Sequence, residues 1–331
     1  MSRILTGAEV LQVLDMDLAL TAAAEAFRAY GEGRVNMPPK SYLTLARGDF
    51  RAMYGALTLD REICGLKWVN VHPANPQRGL PTVMAKIILN DPETALELAD
   101  MDGTYITNYR TGAAGGLAAR YLARPEAASV GVIGAGVQAR MQLAALCKVR
   151  PIRSVAIYNR TPSRAQALRE ELASRYDLEV AVVDHPQEAV ADKDIVVTTT
   201  ASTTPLVQAQ WISPGTHINA IGADAAGKQE LDPEILTRAK VIVDDLAQAQ
   251  HSGEINVALQ QGRFRVEQVH ACLGEVVAGI KPGRENPEEI TIFDSTGLVI
   301  QDLALGLAVL RLAQERGLGE CKEFIPGLPP K

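Results

Sequence analysis

Glycine and alanine recur at a fixed spacing in the segment Gly134-Ala135-Gly136-Val137-Gln138-Ala139. An apolar segment at 129–133 precedes it and an amphipathic segment at 137–149 follows, which predicts a strand, a tight turn and a helix. In that setting the first glycine permits the turn, the second lets the backbone approach a diphosphate, and the small third residue lets the helix pack closely. Amide N–H groups at the helix start then bind the diphosphate. The pattern predicts a dinucleotide site, the alternative being a turn without a ligand, and the residues expected to bind are Gly134, Ala135, Gly136, Val137 and Gln138.

The end of the next predicted strand, at 154–158, indicates which dinucleotide binds. An Asp or Glu at this point commonly binds the 2′-hydroxyl of the NAD ribose. Here Asn159 stands instead, followed by Arg160, Thr161 and Arg164. The asparagine lacks the negative charge that would repel a 2′-phosphate. The two arginines and the Thr161 hydroxyl are groups that can bind such a phosphate. The sequence predicts NADP(H) as the preferred coenzyme with NAD(H) possible; the alternative is that the arginines are solvated residues at a helix start.

Lys67 and Arg110 are cations whose surroundings indicate chemistry on a substrate. Lys67 stands in a strand-like apolar segment, 63–71, where a buried amine needs a partner and can have a pKa lowered into a working range. The alternative is an outward-facing lysine on an edge strand. Arg110 precedes a run of small residues, 111–116, that lets a helix approach a flat ligand closely. Its alternative is a helix-packing surface with Arg110 in a surface ion pair.

Polar residues also follow two later strands. Asp224 and Lys228 come after the strand predicted at 217–221, and ligands of open α/β sheets bind at the carboxyl ends of strands. The alternative is that Asp224 only caps the next turn. Ser295 and Thr296 lie between the last predicted strand, 291–294, and the last helix, where either residue can cap that helix or reach the cofactor amide, and both roles can hold together.

Two patterns of predicted elements divide the chain. The first part combines an amphipathic helix at 8–30 with several strands at 41–90, an α+β arrangement. From residue 128 onward, short apolar strands alternate with helices, which predicts a doubly wound parallel sheet. A long apolar helix at 298–316 and a tail at 326–331 end the chain. The expected fold class is α/β, with a Rossmann-type dinucleotide-binding domain at 123–298 and an α+β domain formed by 1–122 and 299–331.

The composition limits the class of protein. The 331 residues carry 33 Lys and Arg against 39 Asp and Glu, a formal net charge of −6, which argues against a nucleic-acid partner. No apolar run reaches the length of a membrane span, and the N-terminus lacks the pattern of a signal peptide. The four scattered cysteines and five histidines show no disulfide or metal-ligand spacing. We expect a cytoplasmic enzyme that binds no metal ion, no membrane and no nucleic acid.

The sequence resembles the ornithine cyclodeaminase/μ-crystallin family over nearly its whole length. After residue 240, the segments 243–245 and 253–256 are most similar to the archaeal-type alanine dehydrogenases of that family, whereas Asn159-Arg160-Thr161 resembles its NADPH-dependent ketimine (Δ1-pyrroline-2-carboxylate) reductases. The other segments that carry the resemblance are Leu66–Pro73, Leu80–Ala85, Arg110–Ala114, Gly134–Gln138, Asn219–Leu231 and Phe293–Gly297.

The resemblance implies roles for individual residues. Lys67 would bind the substrate carboxylate and donate a proton, Lys40 stands where many members have a carboxylate-binding arginine, and Arg110 would bridge substrate and cofactor. Asp224 matches the aspartate that handles the substrate's amino group. The family also implies a homodimer joined through the non-Rossmann, substrate-binding domain. Cofactor contacts are expected from Thr82, Arg110, Ala135, Gln138, Thr200, Lys228 and Ser295.

Arg51 departs from the family pattern, because the cyclodeaminases carry a glutamate there near the substrate amine. A cation is a poor neighbour for the ammonium of ornithine and favours a second anionic group, so Arg51 is expected to bind substrate. The chain is thus expected to be an NAD(P)H-dependent oxidoreductase that reduces the C=N bond of a 2-imino acid or cyclic ketimine to an L-amino acid. The alternatives are an ornithine cyclodeaminase with recycled NAD and a non-catalytic coenzyme-binding protein.

Overall fold

A computed structural model of the chain describes residues 1–326. It divides into two compact units: unit 1 consists of Met1–Arg110 with Leu298–Lys331, and unit 2 of Thr111–Gly297. The predicted domain boundary at 122/123 coincides with the end of a long helix, whereas the boundary between the units falls inside that helix. Of the predicted tail at 326–331, every residue after Pro326 lies outside the described part.

The elements follow one another along the chain in two series. The first is β1 (Ser2–Leu5), α1 (Gly7–Leu11), α2 (Met16–Gly31), β2 (Val35–Asn36), β3 (Ser41–Leu45), β4 (Gly48–Thr58), β5 (Glu62–Val71), β6 (Val83–Asn90), β7 (Glu97–Asp102) and α3 (Thr104–Leu122). The second is β8 (Ser129–Ile133), α4 (Val137–Val149), β9 (Ser154–Tyr158), α5 (Pro162–Arg175), β10 (Glu179–Val182), α6 (Pro186–Val190), β11 (Ile195–Thr198), β12 (His217–Ala220), α7 (Pro233–Arg238), β13 (Lys240–Val243), α8 (Leu246–Ser252), α9 (Ile255–Gln260), β14 (Val269–Cys272), α10 (Leu273–Val277), β15 (Thr291–Asp294), α11 (Val299–Glu315) and β16 (Glu320–Lys322).

Unit 1 is built on a mixed sheet. Its strand order is β16-β1-β7-β6-β5-β4-β2, with β3 also paired to β4; β1 and β7 are parallel and the other pairs are antiparallel. Helix α11 is apolar on nearly all sides and packs against β4, β5, β6 and α2. A helix with this composition is stable only when it is buried, so the last helix of the described chain completes the core of unit 1.

Unit 2 is a parallel α/β sheet. The strand order is β10-β9-β8-β11-β12-β15-β13-β14, and every neighbouring pair is parallel. Strands β8, β11, β12 and β15 are almost wholly buried, as expected when helices cover both faces of a sheet. The order reverses between β8 and β11, the position at which open α/β sheets bind ligands. The predicted fold class, α/β with a doubly wound parallel sheet, is confirmed.

The main local difference from the sequence prediction is at the N-terminus. The predicted helix at 8–30 is two helices, α1 and α2, because the Asp15 carboxylate accepts a hydrogen bond from the Leu18 N–H at 2.8 Å and begins a new helix. Strands β1, β2, β7, β14 and β16 were outside the predicted set; β7 has three acidic residues among its six and no strict alternation, so it does not stand out as a strand. Within residues 1–326, no helix is long and apolar enough to cross a membrane.

Candidate active site

Lys67 lies at the centre of a buried ionic cluster in unit 1. The β-register places it opposite Met53 on β4 and Ile87 on β6, so its side chain points to the same buried face of the sheet as theirs. Its Nζ lies 2.6 Å from Oδ2 of Asp302 in α11. Burial, followed by the positive charge of Arg110, lowers the pKa of Lys67 to about 7, while Asp302 opposes that shift and Lys40 adds to it. The amine can therefore exchange a proton near neutral pH.

Arg110 completes the cluster from α3. Its Nε lies 3.2 Å from Oδ1 of Asp302, and its Nη1 donates a hydrogen bond of 2.9 Å to Oε1 of Gln301. Lys67, Arg110 and Asp302 are all buried, so one carboxylate serves two cations and the cluster keeps an excess of positive charge. Such an excess in a buried place suits a second carboxylate, supplied by a ligand.

Lys40 and Arg51 each lie near the ring of the same aromatic residue, Tyr42. The Lys40 Nζ is 6.0 Å and the Arg51 Cζ 5.2 Å from the centre of the Tyr42 ring. Arg51 is buried and forms a two-pronged ion pair with Asp49, Nε to Oδ1 at 2.8 Å and Nη2 to Oδ2 at 3.2 Å. The charge of Arg51 is therefore balanced within the chain, whereas the charge of Lys40 acts on Lys67.

The glycine-rich loop of unit 2 has the geometry that its sequence predicts. Gly134 has a φ of +108°, and a Cβ there would lie 2.7 Å from the Thr199 Oγ1, so only glycine fits. The Ala135 N–H donates to the Asn159 Oδ1 at 3.1 Å. Arg140, which sequence reasoning missed, donates from Nη1 to the carbonyls of Ala135 and Gly136, at 3.0 Å each. These bonds fix the loop from both sides.

A cavity of about 370 Å³ opens in front of this loop. It brings together seven of the residues predicted to bind the dinucleotide: Gly134, Ala135, Gly136, Asn159, Arg160, Arg164 and Thr200. It is also lined by residues outside the predicted set: Ile133, Tyr158, Thr199, Ala201, Ser202 and Leu206. Val137, Gln138 and Thr161 stand at the starts of α4 and α5 beside these lining residues. Thr82 belongs to unit 1 and precedes β6.

The residues around the cavity fit a dinucleotide. Helix α4 begins after Gly136, so no side chain occupies the N–H groups of its first turn. The buried Gln138 Oε1 has no hydrogen-bond partner within residues 1–326, which leaves an acceptor for a hydroxyl group. Helix α5 also begins without a side-chain cap, at Thr161, and the exposed Arg160 and Arg164 flank that start. Bound there, a nicotinamide coenzyme supplies hydride chemistry that the side chains lack.

Asp224 and Lys228 form an ion pair in the loop after β12. The Lys228 Nζ lies 2.5 Å from the Asp224 Oδ1, and both side chains are partly exposed. The loop turns at Gly227, whose φ is +79°. Asn256 holds it by accepting from the Gly227 N–H at 3.0 Å and donating to the Lys228 carbonyl at 2.9 Å. Both predicted residues thus lie at the carboxyl edge of the parallel sheet.

Four buried carboxylates tie the loops of unit 2 together, and we call them the carboxylate series: Glu230, Glu254, Asp294 and Asp244. Glu230 accepts from the N–H groups of Thr200 and Gly222, at 2.6 and 2.9 Å. Glu254 accepts from the N–H groups of Glu230 and Leu231, and Asp294 from those of Glu254 and Ile255. Asp244 accepts from the N–H groups of Thr296 and Gly297. Each member thus holds a stretch of loop backbone at the edge where the cavity lies.

Burial dominates the pKa values of the two glutamates in this series. It raises the pKa of the Glu230 carboxyl, against hydrogen bonds from Thr200 that lower it. Burial and then the charge of Glu230 raise the pKa of Glu254 well above its usual value. Glu254 therefore holds its proton to a higher pH than a solvated glutamate does.

Ser295 lies at the same edge, between β15 and α11. Its backbone N–H donates to the Ala220 carbonyl at 3.1 Å, and the residue is buried. Helix α11 has Leu298 as its N-cap, so neither Ser295 nor Thr296 caps it. The Thr296 Oγ1 instead donates to the Asp244 Oδ1 at 2.9 Å. Of the two predicted roles for Ser295, only a contact with the cofactor remains as a prediction.

Sequence reasoning missed Asp302 and the carboxylate series. The signal for Asp302 was a single acidic residue in the otherwise apolar segment 298–310. A charge in a helix that must be buried needs a partner, and Lys67 and Arg110 were the unpaired cations among the candidates. Within the described residues there is no group of three or more His, Cys, Asp or Glu side chains able to hold a metal ion.

Residues 2–317 match the model of the ornithine cyclodeaminase/mu-crystallin family. The chain belongs to this family. A relative from Archaeoglobus fulgidus named alanine dehydrogenase is 52% identical over 321 residues, which is 97% of this chain and 98% of the relative. The predicted family is therefore confirmed, and the match extends over nearly the full length of this chain.

Three solved structures have the same fold as this chain over nearly its whole length. An archaeal alanine dehydrogenase dimer with bound NAD is 52% identical, with a TM-score of 0.94 over 98% of this chain and 99% of that one. The Thermococcus litoralis Δ1-pyrroline-2-carboxylate reductase in complex with NADH and L-proline is 36% identical, with a TM-score of 0.93 over 97% and 100%. The iminosuccinate reductase of Paracoccus denitrificans with NAD+ is 32% identical, with a TM-score of 0.87 over 96% and 98%.

Proposed function

We propose that this chain is an NAD(P)H-dependent reductase that converts the C=N bond of a 2-imino acid or cyclic ketimine into an L-amino acid. The observation that carries the proposal is the buried Lys67–Asp302–Arg110 cluster, whose excess positive charge suits the carboxylate of such a substrate. The dinucleotide cavity of unit 2 supports the coenzyme requirement. The similarity to alanine dehydrogenase and Δ1-pyrroline-2-carboxylate reductase, both of which act at a carbon next to a carboxylate, supports the reaction class.

In this proposal the side chains position the substrate and manage its charges. Lys67, Lys40 and Arg110 hold the carboxylate, and Lys67 exchanges a proton near neutral pH because burial lowers its pKa to about 7. The role of Asp224, a negative charge that would stabilise the protonated imine, stays a prediction. The residues that line the cavity at the glycine-rich loop would hold the coenzyme, whose chemistry would be hydride transfer to an imine carbon. The contacts of Thr82, Lys228 and Ser295 with the coenzyme stay predictions.

A substrate with a single carboxylate is favoured over a dicarboxylic one. Arg51, the residue that suggested a second anionic group, is already paired with Asp49. An imine of pyruvate or a cyclic ketimine therefore needs no partner from Arg51, whereas an imine of a dicarboxylic acid would compete with Asp49 for it. Arg51 also remains a poor neighbour for the ornithine ammonium, which disfavours the cyclodeaminase alternative.

NADP(H) remains the proposed preferred coenzyme. Asn159 stands where an acidic residue would repel a 2′-phosphate, and its side chain bonds the loop instead, accepting from the Ala135 N–H at 3.1 Å. Arg160 and Arg164 line the cavity, and neither forms an ion pair within residues 1–326. The family structures named above contain NAD or NADH, so NAD(H) is the alternative that a direct comparison of coenzymes must exclude.

We also propose a homodimer joined through unit 1. Leu43 and Leu45 on β3, with Tyr54 on β4 and Trp68 on β5, are exposed large apolar side chains on one face of the sheet. Apolar groups clustered in this way commonly mark an interface. The archaeal alanine dehydrogenase with the same fold is a dimer. Light scattering of the purified protein should give twice the mass of one chain.

Coenzyme oxidation in a small set of reactions tests the proposed activity. NADPH and NADH are each mixed with enzyme and with pyruvate plus ammonia, Δ1-pyrroline-2-carboxylate, oxaloacetate plus ammonia, or no substrate. Oxidation with pyruvate plus ammonia or with the pyrroline, faster with NADPH, is the expected result. Ornithine with NAD is run in parallel. Ammonia released from ornithine without a net change in coenzyme, and no imine reduction, would overturn the proposal in favour of the cyclodeaminase.

A further inference from the structure

Asp302 has no chemistry assigned to it, yet it is the most enclosed charge of unit 1. It stands in the first turn of α11 with no exposed surface. Oδ2 lies 2.6 Å from the Lys67 Nζ, and Oδ1 lies 3.2 Å from the Arg110 Nε. Within residues 1–326, no backbone amide or hydroxyl donates a hydrogen bond to either oxygen. The two cations are thus the groups that compensate its burial.

Gln301, the residue before Asp302, binds the same arginine. Its Oε1 accepts a hydrogen bond of 2.9 Å from the Arg110 Nη1 and another of 3.2 Å from the Leu298 N–H, so it joins the helix start to the guanidinium. Consecutive residues of α11 therefore hold Arg110 at two different nitrogens. An arginine held in this way has its planar group fixed in orientation, which a single flexible contact does not achieve.

We propose that Asp302 is a positioning residue of the imine-reducing site, holding the Lys67 amine and the Arg110 guanidinium side by side so that both face one substrate carboxylate. This inference rests on the proposed function. The two cations repel each other, and without a buried anion between them they would separate or Lys67 would lose its proton. Asp302 keeps them together and leaves donors on both for a ligand, because a lysine amine has three N–H groups and a guanidinium five.

The electrostatic surroundings of Lys67 give the inference a measurable consequence. Arg110 on α3, Asp302 on α11 and Lys40 before β3 act on its charge, and Arg51 paired with Asp49 lies on the same face of β4. Asp302 is the group that favours the protonated amine. Replacing it with the neutral asparagine should therefore lower the pKa of Lys67 below about 7, and shift the pH dependence of kcat/KM in the same direction.

The experiment compares Asp302→Asn with the matched control Asp100→Asn. Asp100 also pairs with a lysine of unit 1, Lys86 Nζ to Oδ2 at 2.6 Å, but that lysine is largely exposed. For Asp302→Asn we expect kcat/KM for the imine to fall about 100-fold or more, mostly through KM. We also expect the alkaline limb of the pH profile to move down by about one unit or more, with coenzyme affinity within about twofold of wild type. The control should change none of these.

Two further measurements keep the test decisive. Asp302→Glu keeps the charge and should restore the pH profile while kcat/KM stays about tenfold low, because the longer side chain misplaces both cations. NMR titration of the Lys67 side chain, in protein with isotope-labelled lysine and assigned with Lys67→Arg, reports its pKa without any turnover. If wild type reduces no imine but Asp302→Asn lowers this pKa, the proposed function fails and the control of Lys67 by Asp302 stands. An unchanged pKa and pH profile in Asp302→Asn would overturn the inference, whatever the loss of rate.

Discussion

Each unit of the molecule buries a group of charges, and the two groups are built in opposite ways. In unit 1, Asp302 is surrounded by the cations Lys67 and Arg110, and receives no backbone hydrogen bond within the described residues. In unit 2, the members of the carboxylate series accept hydrogen bonds from backbone N–H groups of the neighbouring loops. Burial is nearly complete in both places, so the partners and not the degree of burial distinguish them.

The comparison separates a group that is suited to bind a ligand from a group that holds the backbone. A carboxylate bonded to amides fixes the loop that carries them, and its loss leaves buried donors without acceptors. The cluster in unit 1 fixes little backbone and keeps positive charge and unused donors, as a site for an anionic substrate requires. Substitutions in unit 1 should therefore change turnover, and substitutions in the carboxylate series should change stability.

Lys67→Ala should give the largest effect. We expect kcat/KM for imine reduction to fall about 1000-fold, because the variant loses a carboxylate partner and a group that exchanges protons. The coenzyme dissociation constant should stay within about twofold of wild type, since the dinucleotide cavity belongs to unit 2. Initial rates of coenzyme oxidation and a fluorescence titration with NADPH measure the two quantities.

Lys86→Ala is the matched control for that variant. Lys86 lies on β6, next to β5, and its exposed amine pairs with Asp100. Its removal should leave the rate within about twofold of wild type, as is usual for a surface ion pair. Equal losses in the two lysine variants would show that positive charge in general, and not the Lys67 cluster, supports turnover.

Glu254→Ala should lower stability with little effect on chemistry. We expect the free energy of unfolding to fall by about 1–3 kcal/mol, because alanine leaves the buried N–H groups of Glu230 and Leu231 without their acceptor. Urea denaturation measures this, with Glu234→Ala, at an exposed residue of unit 2, as the control. A variant of wild-type stability with a severe loss of kcat would reverse the roles of the two buried groups.

The pH dependence of stability has a definite sign at Glu254. Its folded pKa lies well above its usual value of 4.5, since burial and the charge of Glu230 favour the protonated form. The stability that this group contributes is therefore fully present below the usual pKa of 4.5, and it is lost as the pH rises from there through the folded pKa. Urea midpoints of wild type should decline over this range relative to those of Glu254→Gln. A difference that grows in the other direction would contradict the raised pKa.

Replacing Arg160 and Arg164 together with alanine should give the smallest effect. Both side chains are exposed, so a phosphate contact there is worth only about tenfold in the KM for NADPH. The KM for NADH should change by about twofold or less, because NADH lacks the 2′-phosphate. Arg169→Ala, on the same helix α5 but bonded to the Val180 carbonyl, is the control. An equal rise for both coenzymes would remove the arginines from coenzyme selection.

The ease of prediction differed between the units for a physical reason. The strands and the glycine-rich turn of unit 2 are encoded locally, since each strand is a short apolar segment followed by a loop residue at the sheet edge. The predicted residues Gly134, Asn159 and Thr200 accordingly line one cavity. The Lys67 cluster depends on contacts between distant segments; Arg110 and Gln301, for example, are 191 residues apart in sequence. No local pattern predicts that pairing. The one sign of it in the sequence is that Lys67 and Asp302 are charged residues in apolar segments.

Proton uptake on ligand binding tests the central claim most directly. The enzyme with oxidised coenzyme is titrated calorimetrically with pyruvate at about pH 8, in two buffers of different ionisation enthalpy. Lys67, with a pKa lowered to about 7, is largely neutral at this pH, and a carboxylate bound beside it raises that pKa. We predict uptake of close to one proton per site by wild type and none by Lys67→Ala. Pyruvate binding by wild type without proton uptake would contradict the assignment of Lys67 to the substrate carboxylate.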